Sequence, residues 1–366
     1  MTAERARRQP RASRRKAESG RPQTKAVGRR PRARSLGVAD RPLRVVARVH
    51  AYPPVHNAGA EWMLHSLLCA LVARGHEVTV WLSRYSQLSE PYTLDGVRVV
   101  PFAARLDIGA AVRRADVAIS HLENVPALAA LAAGYGTRFV AVCHNTFPAT
   151  FRNAATAALA VYNSQWMARE AEAYYAGRPS APAATLVVRP PVFADNYRTT
   201  PGDAITLINC NADKGGDLFW RIAERMPDHQ FLGVRGAYGQ QVVPPRPVPN
   251  LVYLDHVPGH EMRDRVYART RVLLMPSRYE SWGRVGVEAM ASGIPVVAHP
   301  TPGICEMLGD AAILADRDDL DAWLSTLEQL LRPTEYQSAS ERALERSAAL
   351  DPHADLVAWC EAIESL

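Results

Sequence analysis

Lysine is almost missing from this chain. Forty of its 366 residues are arginine, but only Lys16, Lys25 and Lys214 are lysine. Cysteine is sparse too. Cys69, Cys143, Cys210, Cys305 and Cys360 lie far apart and form no C-x-x-C pair, so neither a zinc cluster nor a disulfide framework is indicated. No run of eighteen apolar residues occurs, so no membrane-spanning helix is expected. The arginine-rich N-terminus has no apolar core of a secretory signal, which points to the cytoplasm.

What remains is 48% hydrophobic and 22% charged, the profile of an ordinary globular protein. At roughly 100–200 residues per domain the length predicts two or three domains, each able to bury a sizeable core. The net charge of +6 is unevenly placed. Residues 1–42 hold twelve Arg and two Lys against Glu4, Glu18 and Asp40, a net +11, so the other 324 residues carry −5. That segment has almost no large apolar side chain and is expected to be a disordered basic tail. It reads either as a solvated extension or as a polybasic arm for nucleic acid or anionic lipid. No aromatic residues interleave the arginines to stack on bases, which favours the solvated extension.

Order is expected from Leu43. Leu43–Val49 reads as a buried strand, Glu61–Arg74 as a helix closed by Gly75, and Val78–Leu82 as a second strand. A strand–helix–strand unit implies parallel pairing and a right-handed crossover. Strands follow at Asp116–Ser120, Arg138–Cys143, Ala158–Asn163 and Thr185–Val188, with a helix near Pro126–Ala133 between the first two. Arg189-Pro190-Pro191-Val192 breaks the rhythm, and Phe193–Gly202 reads as a linker. A second series opens at Ala204–Asn209. It continues with a helix at Leu218–Met226 and strands at Gln230–Val234, Leu251–Leu254, Val272–Met275 and Ile294–Ala298. Late helices are read at Asp319–Leu331 and Ala354–Ile363. The pattern predicts an α/β protein of two Rossmann-like, doubly wound domains facing a central cleft. The boundaries fall at 43–195 and 196–352, with a closing helix over 353–366.

The most informative stretch runs from Pro276 to Ala298. A strand ends at Met275, a polar loop runs to Ser281, and a helix starts near Trp282-Gly283 and stops at Gly293. Ligands bind such folds at the carboxyl ends of strands, and first-turn N–H groups favour an anion. Gly283 would let a ligand approach the backbone closely. Glu288 lies in a helix that is apolar nearly all round, so its carboxylate should be buried and partnered. The partner is either a nearby arginine or backbone group, or a ligand. Glu280 sits eight residues earlier, as a solvated loop charge or as a ligand contact. Two acids bracketing an anion-friendly turn suit a ligand with hydroxyls at both ends and phosphate between.

This stretch resembles the E-x7-E signature of the family 4, GT-B-fold retaining glycosyltransferases. Glu280 and Glu288 match its acids, Trp282-Gly283 its aromatic-Gly pair, and Gly293-Ile294-Pro295-Val296-Val297 its following strand. The resemblance implies that Glu280 contacts the donor sugar and Glu288 the ribose, with the turn Ser281–Arg284 on the diphosphate. Asn57-Ala58-Gly59-Ala60-Glu61 is similar to the family's G-G-x-E loop, which places Gly59 near the donor phosphates. Arg74-Gly75-His76-Glu77-Val78 resembles its R-G-H-E-V turn. His144 stands where these enzymes keep a histidine facing the donor sugar, or else is a loop histidine bonded to backbone; His121 occupies a similar strand end. Lys214, the only lysine after residue 42, resembles the lysine that neutralises the diphosphate. A compact ammonium suits one phosphate oxygen better than a planar guanidinium does.

Some positions depart from the pattern, Arg284 at the start of the helix among them. Ala58 replaces the first glycine of the loop, and Asn209 replaces an arginine expected about five residues before the lysine. Arg284 is expected to supply the missing cation, with Arg235-Gly236 as the alternative. Base contacts are expected near His256-Val257. The implied activity is retaining transfer of a hexosyl group from a nucleotide diphosphate sugar, UDP- or GDP-linked, to an unidentified acceptor hydroxyl. The acceptor could be a small molecule, a lipid or a glycan. The motifs quoted above contain no Asp-x-Asp pair, so neither a metal nor a resident cofactor is expected, and no specific nucleic acid. Contact with the inner face of a membrane through the tail is compatible with this reading. The competing readings are a GT-B-fold nucleotide-sugar epimerase, a catalytically weakened carbohydrate-binding relative, and a non-enzymatic nucleic-acid or membrane-surface binder acting through residues 1–42.

Overall fold

The alternating pattern resolves into two sheets in a computed structural model. It describes residues 36–54, 58–85, 88–237 and 239–366. The first sheet is built from β1 (Arg44–Val49), β2 (Glu77–Leu82), β3 (Tyr92–Leu94), β4 (Val97–Val100), β5 (Val117–His121), β6 (Arg138–Cys143), β7 (Leu159–Tyr162) and β8 (Thr185–Val187). Their order across the sheet is β3-β4-β2-β1-β5-β6-β7-β8. The second contains β9 (Ala204–Ile208), β10 (Phe231–Val234), β11 (Leu251–Leu254), β12 (Thr270–Met275), β13 (Val296–Ala298) and β14 (Ile313–Leu314), in the order β11-β10-β9-β12-β13-β14. Every neighbouring pair is parallel except β3 with β4.

The strands read as continuous apolar runs because both faces of each sheet are covered. Along β1, Val45, Ala47 and Val49 enter one core while Val46 enters the core on the other face. Along β12, Leu273 and Met275 face one side and Val272 and Leu274 the other. The strand order reverses between β1 and β5 in the first sheet and between β9 and β12 in the second. The carboxyl ends of these strands are where such folds open a crevice.

The β3–β4 hairpin was not expected. It extends the first sheet through a turn in which Asp95 and Gly96 both have positive φ, 50° and 83°. The basic tail expected over residues 1–42 lies outside the described residues as far as residue 35. Order nevertheless precedes Leu43: Leu36 packs against the first core, its carbonyl accepts from Arg74 Nη1 at 2.5 Å, and Ala39 N–H donates to the Arg74 carbonyl at 3.0 Å.

The last helix, His353–Glu364, packs on the helix Gly59–Ala73. Trp359 is fully buried there and donates from Nε1 to the Leu67 carbonyl at 2.9 Å. The turn Arg74-Gly75-His76 is a socket for this helix. Arg74 Nε donates to Glu364 at 2.9 Å, His76 Nε2 lies 3.0 Å from the same carboxylate, and Leu43 N–H donates to His76 Nδ1 at 3.1 Å. The chain crosses between the sheets twice, over 188–203 and 350–353. Arg189 joins the crossings by donating to Asp355 from Nε at 2.7 Å and from its backbone N–H at 3.1 Å. Among the described residues no helix is long and apolar enough to cross a membrane.

Candidate functional site

Two loops at the carboxyl ends of β9 and β12 carry the sequence-predicted acids and lysine. In the first, Lys214 N–H donates to Asn211 Oδ1 at 2.8 Å and Gly215 opens the next helix with φ +87°. In the second, Glu280 accepts from Ser277 Oγ at 3.0 Å and from the Lys214 ammonium. Both side chains of this ion pair are largely shielded, 28% exposed for Lys214 and 18% for Glu280. The loops are stapled together by Arg317, a residue the sequence did not point to. Its buried guanidinium donates to the carbonyls of Ala212 (2.6 Å), Asp213 (3.2 Å) and Pro276, and to the Asp217 carboxylate (3.3 Å).

Gly303 fixes the outer wall of the second loop. A Cβ there would lie 2.3 Å from the Glu280 carbonyl oxygen and 2.5 Å from the Ser281 carbonyl carbon. Gly283 has φ +109°, which L side chains rarely adopt, and its Cβ would meet Met275 Cε at 2.9 Å. Glycine is therefore required there by backbone geometry and core packing. The helix that follows, Arg284–Met290, is only seven residues long. It supplies little dipole, so fixed cations must do most of the work toward an anion.

Glu288 is buried and doubly held. Arg284 Nε lies 3.1 Å from Oε1, and Tyr267 Oη–H donates to Oε2 at 2.6 Å. Burial and the adjacent carboxylate push the Tyr267 phenol far above its ordinary range. Arg284 also donates to Tyr197 Oη at 2.9 Å, and its guanidinium carbon sits 5.8 Å from the Trp62 ring centre. The arginine expected as a free phosphate cation is thus tied to Glu288. Arg235 instead pairs at 2.8 Å with Asp255, which is 87% exposed, and an exposed pair exchanges its partner easily. Asn209 takes a positive φ of 69°, and its amide fills the space a Cβ on Gly236 would need, 2.3 Å from Oδ1.

These groups converge on one cavity of about 250 Å³. Gly59, Trp62 and Ala58 wall it on the side of the first sheet. Asn209, Lys214, Arg235, Gly236, Val257, Glu280, Gly283, Arg284 and Glu288 wall it on the side of the second. Three expected donor-site residues are not among its walls. Trp282 is 3% exposed and buried in the core under the second sheet, so its ring cannot face a ligand. Ser281 bridges to the first half, donating from Oγ to the His144 carbonyl at 2.7 Å and accepting from Asn163 Nδ2 at 2.8 Å. His144 lies half-buried on the first-sheet side, its Nε2 2.9 Å from Nδ1 of His121. Burial pushes the His144 imidazole down to about 4 and that of His121 well below its ordinary range, so both are neutral. Behind them His50 Nε2 pairs with buried Glu61 at 3.1 Å, and that hydrogen bond raises the His50 pKa.

Ser281 is one of several contacts between the halves. Tyr279 Oη accepts from Thr146 N–H at 2.8 Å, with its ring 5.4 Å from Phe147 and 5.9 Å from Trp166. The Glu306 carboxylate accepts from the N–H groups of Gln165 and Trp166, both at 2.7 Å. Asn57, part of the glycine-loop reading, lies outside the described residues. Away from the cavity, His65 Nε2 lies 3.0 Å from Asp95 Oδ2, with Cys69 close by. The Cys69 sulfur is 3.5 and 3.7 Å from the two ring nitrogens. It therefore lies alongside the ring, and the three lone pairs do not converge on a cation.

Known proteins share this architecture and parts of this sequence. Residues 57–184 match a family model described as "Glycosyltransferase Family 4", and residues 232–333 one described as "Glycosyl transferases group 1". An O-antigen chain mannosyltransferase B of Escherichia coli is 34% identical over 129 residues, 35% of this chain and 29% of that protein. A D-inositol 3-phosphate glycosyltransferase of Corynebacterium diphtheriae is 37% identical over 118 residues, 31% of this chain and 26% of that protein. The chain spans about a third of the length of the curated relatives it matches. Among solved structures, sucrose-phosphate synthase from Thermosynechococcus elongatus superposes with a TM-score of 0.66 at 15% identity, over 86% of this chain and 96% of that one. Anabaena HepE, in complex with UDP and glucose, gives 0.68 at 15% identity, over 88% and 98%. At these identities the likeness to solved structures is one of fold, and the fold is GT-B.

Proposed function

The chain belongs to the family 4 glycosyltransferases, and on that premise we propose that it moves a hexosyl group from a nucleoside diphosphate sugar to an acceptor hydroxyl with retention. The observation that carries this reading is the meeting of Lys214, Glu280 and Glu288 on one cavity wall. Glu280 accepts hydrogen bonds from the donor sugar hydroxyls. Glu288, fixed by Arg284 and Tyr267, keeps lone pairs for the ribose hydroxyls. Lys214 stabilises the charge that develops on the departing diphosphate, where a preorganised cation contributes most. Arg235 is the better second cation, because its partner Asp255 faces water whereas Arg284 is bound to a buried acid. The nucleobase lies against Val257. No protein base is assigned; the leaving phosphate takes the acceptor proton, as the family resemblance implies, and no metal is required.

HepE is described in complex with UDP-glucose, so UDP compounds are the first probes to use. Thermal unfolding is measured with UDP, GDP, UDP-glucose and GDP-mannose. Ligand at a hundred times its Kd adds about 2.7 kcal/mol to the folded state, a rise of several degrees in melting temperature. No shift with any of the four overturns the reading.

Gly303→Ala offers a second check. The added methyl collides with the Glu280–Ser281 backbone, and overpacking of this kind costs about 1–3 kcal/mol. The expected outcome is a folded protein of lower melting temperature whose affinity for the nucleotide sugar falls at least tenfold. The two measurements are calorimetric titration and thermal unfolding of the same sample.

A further inference from the structure

We infer that His121 is a positioning residue that fixes the tautomer of His144, donating from its own Nδ1 to Nε2 of His144. His144 is thereby left with its proton on Nδ1, as the hydrogen-bond donor it can offer a sugar hydroxyl.

The argument is one of proton accounting. Nδ1 of His121 and Nε2 of His144 lie 2.9 Å apart, with the rings at 71°. Adjacent parallel strands bring them together: His121 ends β5 in register with Val142 of β6, and His144 follows β6 by one residue. Neither ring is charged, because burial holds both neutral. One nitrogen of the pair must therefore carry the shared hydrogen and the other must accept it. If His144 donated, His121 would carry its own proton on Nε2. That atom is fully buried and has no partner among the described residues. The arrangement would strand an N–H away from any acceptor, the rarer and costlier defect. If His121 donates, its Nε2 holds only an unused lone pair. The second arrangement leaves no orphan donor. A ring nitrogen's proton is set by the bond the other nitrogen makes, so His121 decides what His144 presents.

The use made of the Nδ1 proton rests on the proposed donor reading; the tautomer does not. Full-length protein carrying 15N-histidine is examined by long-range 1H–15N correlation, with the His144 signals assigned by their loss in His144→Gln. The wild type is expected to show His144 protonated on Nδ1. His121→Asn places an amide N–H where Nδ1 stood and keeps that pattern. His121→Gln, whose amide sits one bond further out, and His121→Phe both lose it. A wild-type His144 protonated on Nε2 overturns the inference without recourse to any variant. So does an unchanged His144 pattern in His121→Phe. Calorimetry with UDP and UDP-glucose adds a second readout. The affinity for UDP-glucose is kept in His121→Asn and falls at least tenfold in His121→Phe, while UDP binding alone is unchanged; an unchanged UDP-glucose affinity in His121→Phe overturns the positioning role. If neither UDP nor GDP nor their sugars bind the wild type, it is the donor reading that falls, and the tautomer result still decides this one.

Discussion

Lys214→Met lowers kcat/KM for the nucleotide sugar by a factor on the order of 10²–10³, with little change in melting temperature. That is the scale seen when one preorganised stabiliser of transition-state charge is removed. The size follows from how little else is held in place, since Arg235, the other cation on the wall, is half-exposed and paired with Asp255. Lys214 is the only lysine after residue 42, the helix after Gly283 is two turns long, and Arg284 is committed to Glu288. Lys214→Arg restores only part of the activity, since a planar fork cannot take the place of a compact ammonium tucked against Glu280. Steady-state kinetics with the consumed nucleotide sugar separates the possibilities. A fall in kcat places the lysine in the transition state, and a rise in KM alone confines it to ground-state binding. Unchanged kcat/KM in Lys214→Met removes the lysine from the chemistry.

Glu288→Leu and Arg284→Met each destabilise the fold by about 3–5 kcal/mol, the cost of leaving one member of a buried ion pair without its partner. The side chains are 7% and 11% exposed, so water cannot replace the lost contact. The double replacement is milder than either single one, because well-packed apolar residues of similar volume substitute for a buried pair at little net cost. Donor binding is lost in all three. Urea unfolding of the four proteins gives the coupling energy directly. Single replacements no worse than the double would mean that the pairing does not hold this helix in place.

Much of this was readable from residue order. The strands of both sheets appear as short apolar runs because parallel sheets bury both faces, and Arg138–Cys143 and Leu251–Leu254 match at both ends. The β3–β4 hairpin carries a local signal in Asp95-Gly96, a turn dipeptide between β-rich residues. The helix Pro333–Ala349 was hidden because it buries only Ala339, Ala343 and Ser347, a stripe too small to stand out as apolar periodicity. In the site, Glu280, Glu288 and Lys214 were legible because their spacing is local or their residue type is rare. Tyr197, Tyr267 and Arg317 were not. Tyr197 and Tyr267 reach Arg284 and Glu288 from 87 and 21 positions away, and Arg317 reaches Pro276 from 41. Such partners are set by tertiary packing and leave no pattern along the chain. Trp282 shows what residue type leaves open: its place in the motif was legible, and that its ring packs into the core was not.

The contacts between the two halves are of two unlike kinds. Along one edge they are hydrogen bonds at Thr146, Asn163, Gln165 and Trp166, with a few facing rings. Solvent can take over each of those bonds, so undoing them exposes little oily surface. On the far side the polypeptide passes over twice, and Trp359 anchors the final helix in hydrocarbon. A molecule fastened this way has a latch along one edge and a hinge along the other. The latch includes Ser281, next to Glu280, so swinging it open would carry the first-sheet wall of the cavity away from the second.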